Sequence, residues 1–423
     1  MRNEESGMRN MFRKVTVLMR GFFISLTGKP CVVIGEMNAK HAPDAAMKVE
    51  ICCTESEESI ADAVRRTYDI WKKSALRGAH QKGRIPLPSC IAFCLNDKVK
   101  ALFWRGDDLD SVRKRIAEKD ASPVTETIAV SGAKDQIDPS DLIDPMERVA
   151  VLKNKITLVT GGAQGIGEEI ARNLAVAGAL VFISDLNLKG AEDLAKKINT
   201  EQGRTAAIAL KVDVTDEASV EAMFNTVAET AGGLDLCVSN AGVLKAGSVL
   251  DQELAEFKFV TDINYTGFFI VSKFAGRLLR IQHLTAPNWK TDIVQINSKS
   301  GLEGSNKNGA YSGSKFGGLG LVASFARELI EYNIKVNAIC PGNLLDSPLW
   351  SDPEKGLFVQ YLKAGKVPGA KRIADVRSFY ETKVPMRRGC TGKDVMRALY
   401  YIVEQEYETG QAVPVTGGQV MLH

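Results

Sequence analysis

Cysteine and histidine are sparse in this chain and fall in no ligand pattern. Eight cysteines are spread over 423 residues, none in a C-x-x-C pair; Cys52 and Cys53 are adjacent and Cys90 and Cys94 are four apart. Only four histidines accompany them, without metal-ligand spacing, so no metal site is expected. Scattered thiols suit a reducing compartment, and the cytoplasm is the expected location. An excess of either charge is also missing, with 54 basic and 51 acidic residues. Residues 1–150 carry 24 basic and 22 acidic side chains, and residues 151–423 carry 30 and 29. That balance excludes the basic stripe of a nucleic-acid binder, so no nucleic-acid partner is expected. No apolar run is long enough to span a bilayer. The one apolar stretch near the start, residues 15–26, is interrupted by Arg20 and is followed by no small-residue cleavage site. It reads as a strand or a loosely ordered extension, neither signal nor anchor, and no membrane partner is expected.

What remains is an ordinary globular composition, 45% hydrophobic and 25% charged, long enough for one large or two smaller domains. Residues 1–150 read as a small α/β module with a linker. Ser59 opens a helix over 59–73, with Ile60, Ala63, Val64, Tyr68 and Trp71 at helical spacing. Residues 78–88 form a basic, Gly/Pro-marked connection. Segments 90–95 and 99–104 flank Asn96-Asp97 as a hairpin, and 110–119 reads as a helix. Residues 122–149, rich in Pro, Asp and Ser, suit a linker. The order hairpin, helix, linker resembles the C-terminal edge of a class II aldolase-like domain. His41 and His80 stand alone, however, without the metal cluster of an active aldolase. Packing or assembly is the expected role, and the linker predicts that residues 151–423 fold and work by themselves.

From Lys155 onward the pattern is strand, glycine loop, helix. Residues 156–160 form an apolar strand, followed at once by Gly161-Gly162-Ala163-Gln164-Gly165-Ile166-Gly167 and by a helix with Ile170, Leu174 and Ala175 on one face. Glycines let the backbone approach a pyrophosphate, and a helix N-terminus offers free N–H groups. A second strand ends at Asp185, eighteen residues after Gly167, where a carboxylate accepts hydrogen bonds from the adenosine ribose hydroxyls and repels a 2′-phosphate. The nearest following base is Lys189, so NAD is expected over NADP. A third strand ends in Asp213-Val214, placed to meet the adenine, and a fourth in Asn240-Ala241-Gly242, a small-residue turn along the cofactor. Asn264 sits in the middle of a helix, where a buried amide is costly unless it is used. Another strand ends at Pro341-Gly342, and residues 412–415 close the sheet. Strands alternating with helices imply an α/β, doubly wound (Rossmann) parallel sheet of seven strands with the ligand at their carboxyl ends.

The stretch that carries chemistry is S-K-S-G-L-E-G-S-N-K-N-G-A-Y-S-G-S-K, from Ser298 to Lys315. Tyr311 and Lys315, four apart, lie on neighbouring turns of one helix face. An ammonium beside a phenol favours the phenolate and lowers its pKa, which equips the phenol to exchange a proton with an alcohol or ketone. Ser298 can hydrogen-bond the same substrate oxygen.

Taken together, residues 160–167, Asp185, Asp213, Asn240-Ala241-Gly242, Asn264, Ser298, Tyr311, Lys315 and Pro341-Gly342 resemble the short-chain dehydrogenase/reductase family across residues 153–423. Two positions depart from the family pattern. Ser239 stands where Asn is usual, and Asp346 where Thr often follows the Pro-Gly turn. The resemblance implies hydride transfer, with Tyr311 as general acid/base and Ser298 orienting the reacting oxygen. Lys315 would bond the nicotinamide ribose, and Asn264 would position a water linking Lys315 to solvent. A homo-oligomer, dimer or tetramer, is implied as well. Within the family, I-V-Q-I-N-S-K-S-G, G-N-L-L-D-S-P-L-W and K-V-P-M-R-R-G-C resemble members that act at C2 of a polyol or sugar phosphate. A 3-oxoacyl-carrier-protein reductase or another sugar alcohol dehydrogenase is the alternative; the former usually takes NADP, against Asp185. Substrate contacts are expected from Ser298, Lys299, Asn343, Arg387 and Arg388. Lys299 with Arg387 or Arg388 would hold the phosphate, and Lys383 and Lys307 are further candidates.

Overall fold

The computed structural model describes residues 2–27, 29–37, 47–50, 56–76, 85–87, 90–95, 98–118, 124–126, 151–354, 356–363 and 365–421. His41, His80, the Asn96-Asp97 turn and most of the linker expected over 122–149 lie outside them. Among the described residues no helix is long and apolar enough to cross a membrane.

The N-terminal part runs α1 (Arg2–Thr27), β1 (Val32–Met37), β2 (Met47–Glu50), α2 (Glu57–Leu76), β3 (Ile85–Leu87), β4 (Cys90–Leu95), β5 (Lys98–Gly106), α3 (Leu109–Glu118) and β6 (Val124–Glu126). The expected hairpin is β4 with β5, antiparallel, at the centre of a four-stranded sheet ordered β1-β5-β4-β2. Strands β3 and β6, within segments read as connections, pair with each other. The apolar stretch at 15–26 is neither a strand nor a loose extension; it belongs to α1. Val15, Leu18, Met19, Phe22 and Phe23 recur at helical spacing and are buried together with Val17 and Ile24. Arg20, which breaks the apolar run in the sequence, is itself fully buried.

The second part runs β7 (Ile156–Thr160), α4 (Gly165–Val176), β8 (Leu180–Asp185), α5 (Leu188–Gln202), β9 (Ala207–Lys211), α6 (Glu217–Ala231), β10 (Leu236–Ser239), α7 (Leu254–Thr261), α8 (Gly267–His283), β11 (Thr291–Ile296), α9 (Gly309–Leu329) and β12 (Ile334–Pro341). Helices α10 (Pro348–Ser351), α11 (Leu357–Lys363), α12 (Ile373–Thr382) and α13 (Gly392–Glu404) follow, and β13 (Ala412–Val415) ends it. The seven strands are ordered β13-β12-β11-β10-β7-β8-β9, every pair parallel. Each residue of β7, β11 and β12 is buried, as expected of a parallel sheet covered by helices on both faces. The order reverses between β7 and β10, which is where such sheets open a ligand crevice at their carboxyl ends.

The N-terminal part shares its core with this sheet. One apolar cluster joins Val17, Val32, Leu102 and Trp104 to Leu158, Phe182, Phe224 and Leu279. A Cβ on Gly21 would fall 2.5 Å from the Gln282 carbonyl, so only glycine lets α1 cross the end of α8 this closely. Arg20 crosses into the base of the parallel sheet. It donates to Asp235 Oδ2 (2.6 Å), Gln282 Oε1 (2.7 Å) and the Cys31 carbonyl (2.7 Å). Asp235 also accepts from the Ile156 N–H (2.7 Å) and Trp289 Nε1 (2.9 Å), so the same carboxylate ties β7 and β10. Burial pushes its carboxyl up, but the charges of Arg20 and Lys155 outweigh burial and hold the pKa below the ordinary value.

This packing bears on the expectation that residues 151–423 fold and work by themselves, because removing α1 would strand a buried carboxylate and uncover the shared core. An uncompensated buried charge costs about 3–5 kcal/mol. Arg20→Ala should therefore destabilise the protein by an amount of that order in chemical denaturation, and the 151–423 fragment should be poorly soluble. Wild-type stability in both would show the N-terminal part to be an independent appendage.

Candidate active site

The glycine loop sits between β7 and α4, at the reversal of the sheet. Gly161 and Gly165 have φ of +61° and +59°. A Cβ on Gly167 would lie 2.1 Å from the Gly161 carbonyl oxygen, so the tight approach of α4 to the loop requires glycine. Gln164 precedes α4 and makes no side-chain cap, leaving the N–H groups around Ile166 and Gly167 for an anionic ligand. Asn240 braces the loop, donating to the carbonyls of Thr160 (3.0 Å) and Gly161 (2.9 Å). Thr160 Oγ1 in turn accepts from the N–H groups of Asn240 (3.0 Å) and Ala241 (3.1 Å). Asp185 ends β8 and is held by the N–H groups of Ala163 (3.0 Å) and Asn187 (2.9 Å). Asp213 accepts from Thr215 N–H (2.9 Å) and Oγ1 (2.7 Å), and Val214 packs against Gly267. A loop, an uncapped helix start and a carboxylate one strand away fit the pyrophosphate and ribose of a dinucleotide.

The polar cluster that follows is built on β11 and α9. Asn297, just past β11, donates to Gln295 Oε1 (2.7 Å) and to the Lys315 carbonyl (3.0 Å), while its own Oδ1 accepts the Ser298 N–H (2.8 Å). One amide thus joins the strand end to the Tyr/Lys helix and sets Ser298. Ser298 Oγ accepts from the Ser300 N–H (3.1 Å) and faces the Tyr311 phenol. Lys315 Nζ donates to the Ile296 carbonyl (2.9 Å) and lies 5.6 Å from the Tyr311 ring centre. Asn264 falls in a single π-helical turn, Asp262–Thr266, between α7 and α8. Such turns are rare and collect at functional sites. Its amide accepts from the Val243 N–H (2.8 Å) and donates to the Val243 carbonyl (2.9 Å) and to Ser314 Oγ (3.1 Å). Gly242 lies against both Asn264 and Lys315, and Gly342 closes onto β13 through its N–H to the Val415 carbonyl (2.9 Å).

The electrostatics differ from the expectation in one respect. Burial pushes the Tyr311 phenol up; the Ser298 hydroxyl pulls it back, and nearby Cys340 adds to the rise. Lys315, buried, is itself pushed down to about 8. Desolvation of both groups therefore outweighs the help that an ammonium gives a phenolate at this separation.

A lid of α10 to α12 covers the site. It has its own apolar core around Trp350, with Phe358, Tyr361 and Tyr380 meeting that ring edge-on at centroid distances of 5.2, 5.7 and 5.0 Å. Of the cations expected to meet a phosphate, Lys299, Lys307 and Lys383 converge with Lys366. Burial, then those three ammonium groups, push Lys366 down to about 8. Arg388 instead pairs with Asp394 (2.6 Å), and Arg387 donates to the Thr382 carbonyl (3.2 Å). Asp346, at the departing position, pairs with Arg377 (2.7 Å). Asn343 follows the Pro341-Gly342 turn, and its buried Nδ2 has no partner among the described residues. Sequence reasoning missed Asn297, Ser314 and Lys366. Asn297 had a usable signal, a polar residue directly before Ser298 at a strand end; Lys366 had none, lying in a short K-A-G-K-V-P-G segment.

This architecture and site define a nicotinamide-dependent oxidoreductase. A family model described as short chain dehydrogenase matches residues 155–355, and the chain belongs to that family. Sorbitol-6-phosphate 2-dehydrogenase of Escherichia coli (strain K12) is 38% identical over 271 residues, 63% of this chain and 99% of that protein. The crystal structure of sorbitol-6-phosphate 2-dehydrogenase from Erwinia amylovora superposes with a TM-score of 0.58 at 40% identity, covering 63% of this chain and all of that one. A 3-oxoacyl-[acyl-carrier-protein] reductase of Aquifex aeolicus is 28% identical over 269 residues, 63% of this chain and 98% of that protein. All three align without needing a third or more of this chain.

The buried Lys315 yields a pH signature. Its folded pKa of about 8 lies below the ordinary 10.5, so below pH 8 folding carries a charge into the interior at a cost. That cost is relieved as pH rises from 8 towards 10.5, where the unfolded chain still binds the proton. Whatever the offset from losing the Ile296 bond, the stability difference between Lys315→Met and wild type should move in favour of wild type across that range, by roughly 1–3 kcal/mol. A difference that stays flat from pH 7 to 10 would show that Lys315 titrates normally.

Proposed function

We propose that the protein transfers a hydride between C2 of a polyol phosphate and NAD, interconverting sorbitol 6-phosphate and fructose 6-phosphate. The observation that carries this reading is the convergence of Ser298, Tyr311 and Lys315 under a lid whose approach is lined by lysines. Bound along the carboxyl ends of β7 and β8, the nicotinamide cofactor supplies the hydride acceptor. Tyr311 takes the proton of the C2 hydroxyl during oxidation and returns it during reduction. Ser298 holds the reacting oxygen and stabilises its developing charge. Lys315 binds the ribose and offsets the charge of the phenolate, and Asn264 positions a water that connects Lys315 to solvent. A positioned proton donor contributes about 10²–10⁴-fold.

Asp185 supports NAD: its carboxylate ends β8, where a 2′-phosphate would be repelled. A homo-oligomer fits exposed Phe257, Phe269 and Phe316 on α7, α8 and α9. The free thiols of Cys31, Cys237, Cys340 and Cys390 fit a cytoplasmic protein. Residues 1–150 stand in this reading as a stabilising part of the dehydrogenase.

A panel of sugar phosphates, their free sugars and a 3-oxoacyl thioester, run with NADH and NADPH, tests the assignment. Turnover of fructose 6-phosphate with NADH is the expected result; turnover of the thioester with NADPH alone would overturn it. Tyr311→Phe should abolish turnover while NADH still binds, as followed by its fluorescence, and full activity in that variant would remove Tyr311 from the mechanism. NAD should be preferred at least about tenfold in kcat/KM, a difference of one ribose contact and one repelled phosphate. Asp185→Ala with Leu186→Arg should shift the preference toward NADP, whereas equal wild-type kcat/KM with both cofactors would rule out the Asp185 reading.

A further inference from the structure

Four lysines come together on the approach to Ser298 and Tyr311 from three separate pieces of the chain. Lys299 directly follows Ser298 and is partly buried; Lys307 stands on the loop before α9. Lys366 and Lys383 belong to the lid, on either side of α12. Their ammonium groups rest on the two ends of one aromatic row. Lys366 Nζ lies 4.0 Å from the centre of the Tyr361 ring, and Lys383 Nζ lies 4.3 Å from Phe379 and 5.9 Å from Tyr380. Tyr361 and Tyr380 are 5.5 Å apart, so the row fixes the two cations relative to each other. Tyr361 is also close enough to Tyr311 to feel its charge, which sets the row beside the reacting centre.

Charge of one sign gathered this tightly is costly unless something neutralises it. Among the described residues none of the four lysines forms an ion pair; Glu303 is the carboxylate that acts on Lys299, and none acts on Lys366. Three arginines of the lid region are already matched: Arg377 pairs with Asp346 and Glu381, Arg372 with Asp375, and Arg388 with Asp394. Four ammonium groups without a carboxylate partner, two of them resting on rings, mark the place for a ligand carrying about two negative charges. Lysine suits this task, since each ammonium turns freely and donates three hydrogen bonds to the oxygens of a phosphate.

We propose that Lys299, Lys307, Lys366 and Lys383 form a cradle for the substrate's phosphate monoester, and that Lys366 and Lys383 close the lid on it. The phosphate of a polyol phosphate sits at the end of the chain remote from C2. A cradle displaced from Tyr311 along the lid therefore places C2 at the phenol and the ester among the lysines. Selection for phosphorylated over free polyols then resides in the lid, not in the catalytic cluster. The identity of the polyol rests on the functional reading above; the anion chemistry does not.

The test uses the full-length protein, wild type, Lys366→Met, Lys383→Met and the conservative Lys366→Arg, with Lys363→Met on the exposed end of α11 as control. Inorganic phosphate is titrated first, at constant ionic strength against chloride, with thermal shift and tryptophan fluorescence as readouts, since Trp350 lies in the same aromatic cluster. Saturable stabilisation is expected in wild type and in the control. It should weaken about tenfold or more in each Met variant and recover in Lys366→Arg. The second readout is the ratio of kcat/KM for phosphorylated over free polyol, which should fall about tenfold in the Met variants, mainly through KM. Phosphate binding lost in Lys366→Met, with no turnover of any polyol phosphate, would keep the cradle and remove the substrate assignment. Indifference of wild type to phosphate, or an unchanged substrate ratio in both folded Met variants, would overturn the cradle.

Discussion

The bond from Lys315 Nζ to the Ile296 carbonyl, 2.9 Å long, holds a charged amine inside the fold at the end of β11. Everything around it answers to that placement. Asn297 grips the Lys315 carbonyl from the strand side and presents Ser298 with its other atom. Gly301 and Gly318 leave no room for a Cβ, which lets α9 settle against Asn297 and Gln295. Tyr311 is one turn back on the same helix and meets Ser298 as a result. A displaced Lys315 would shift the phenol, the hydroxyl and the Asn264 turn together, because each is anchored to the same strand end and helix. Desolvation is the cost of this arrangement, visible in the lowered Lys315 pKa and the raised Tyr311 pKa. Such strain on titratable groups is common where chemistry is done.

The opposite end of the sheet carries a buried ion pair. Arg20 and Asp235 lie 2.6 Å apart with neither side chain exposed. A pair of this kind adds little net stability compared with well-packed apolar residues, yet losing one partner is expensive. The pairing therefore couples α1 to a sheet that begins over a hundred residues later. Lys335 and Asp292, 3.0 Å apart in neighbouring strands and also buried, repeat the device nearby. Polar anchoring at the base of the strands leaves their carboxyl ends for ligands.

Between these two ends the lid is assembled from a third set of forces. Trp350 and its ring partners supply an apolar core for helices too short to be stable alone. Arg372, Arg377 and Arg388 are paired with carboxylates, whereas Lys366 and Lys383 rest on aromatic rings beside the site. In the reading proposed above, that division suits a segment that closes on a charged substrate, since matched charges would gain nothing from a ligand and unmatched ones do.

The dehydrogenase half was legible because its signals are local. A glycine loop between a strand and a helix, a carboxylate at the next strand end, and Tyr four before Lys each act through neighbours a few residues away. The strand and helix alternation sufficed for a seven-stranded parallel sheet, since buried parallel strands read as continuous apolar runs. What stayed illegible depends on partners far apart in the chain. Arg20 looks like an interruption in an apolar run until Asp235, 215 residues later, comes into contact with it. The direction of the Tyr311 pKa depends on how much water the fold excludes, which no spacing encodes. Lys366 is one of 54 basic residues, and only the packing of the lid brings it to Lys299, Lys307 and Lys383. In the dehydrogenase half the sequence by itself determined the alternating strands and helices and their parallel sheet, and it nominated the reacting groups, because hydrophobic period and turn chemistry are written residue by residue. Only the tertiary structure decided which charges are buried together, which are neutralised and which are left for a ligand, because those depend on distance through space and on the local exclusion of water.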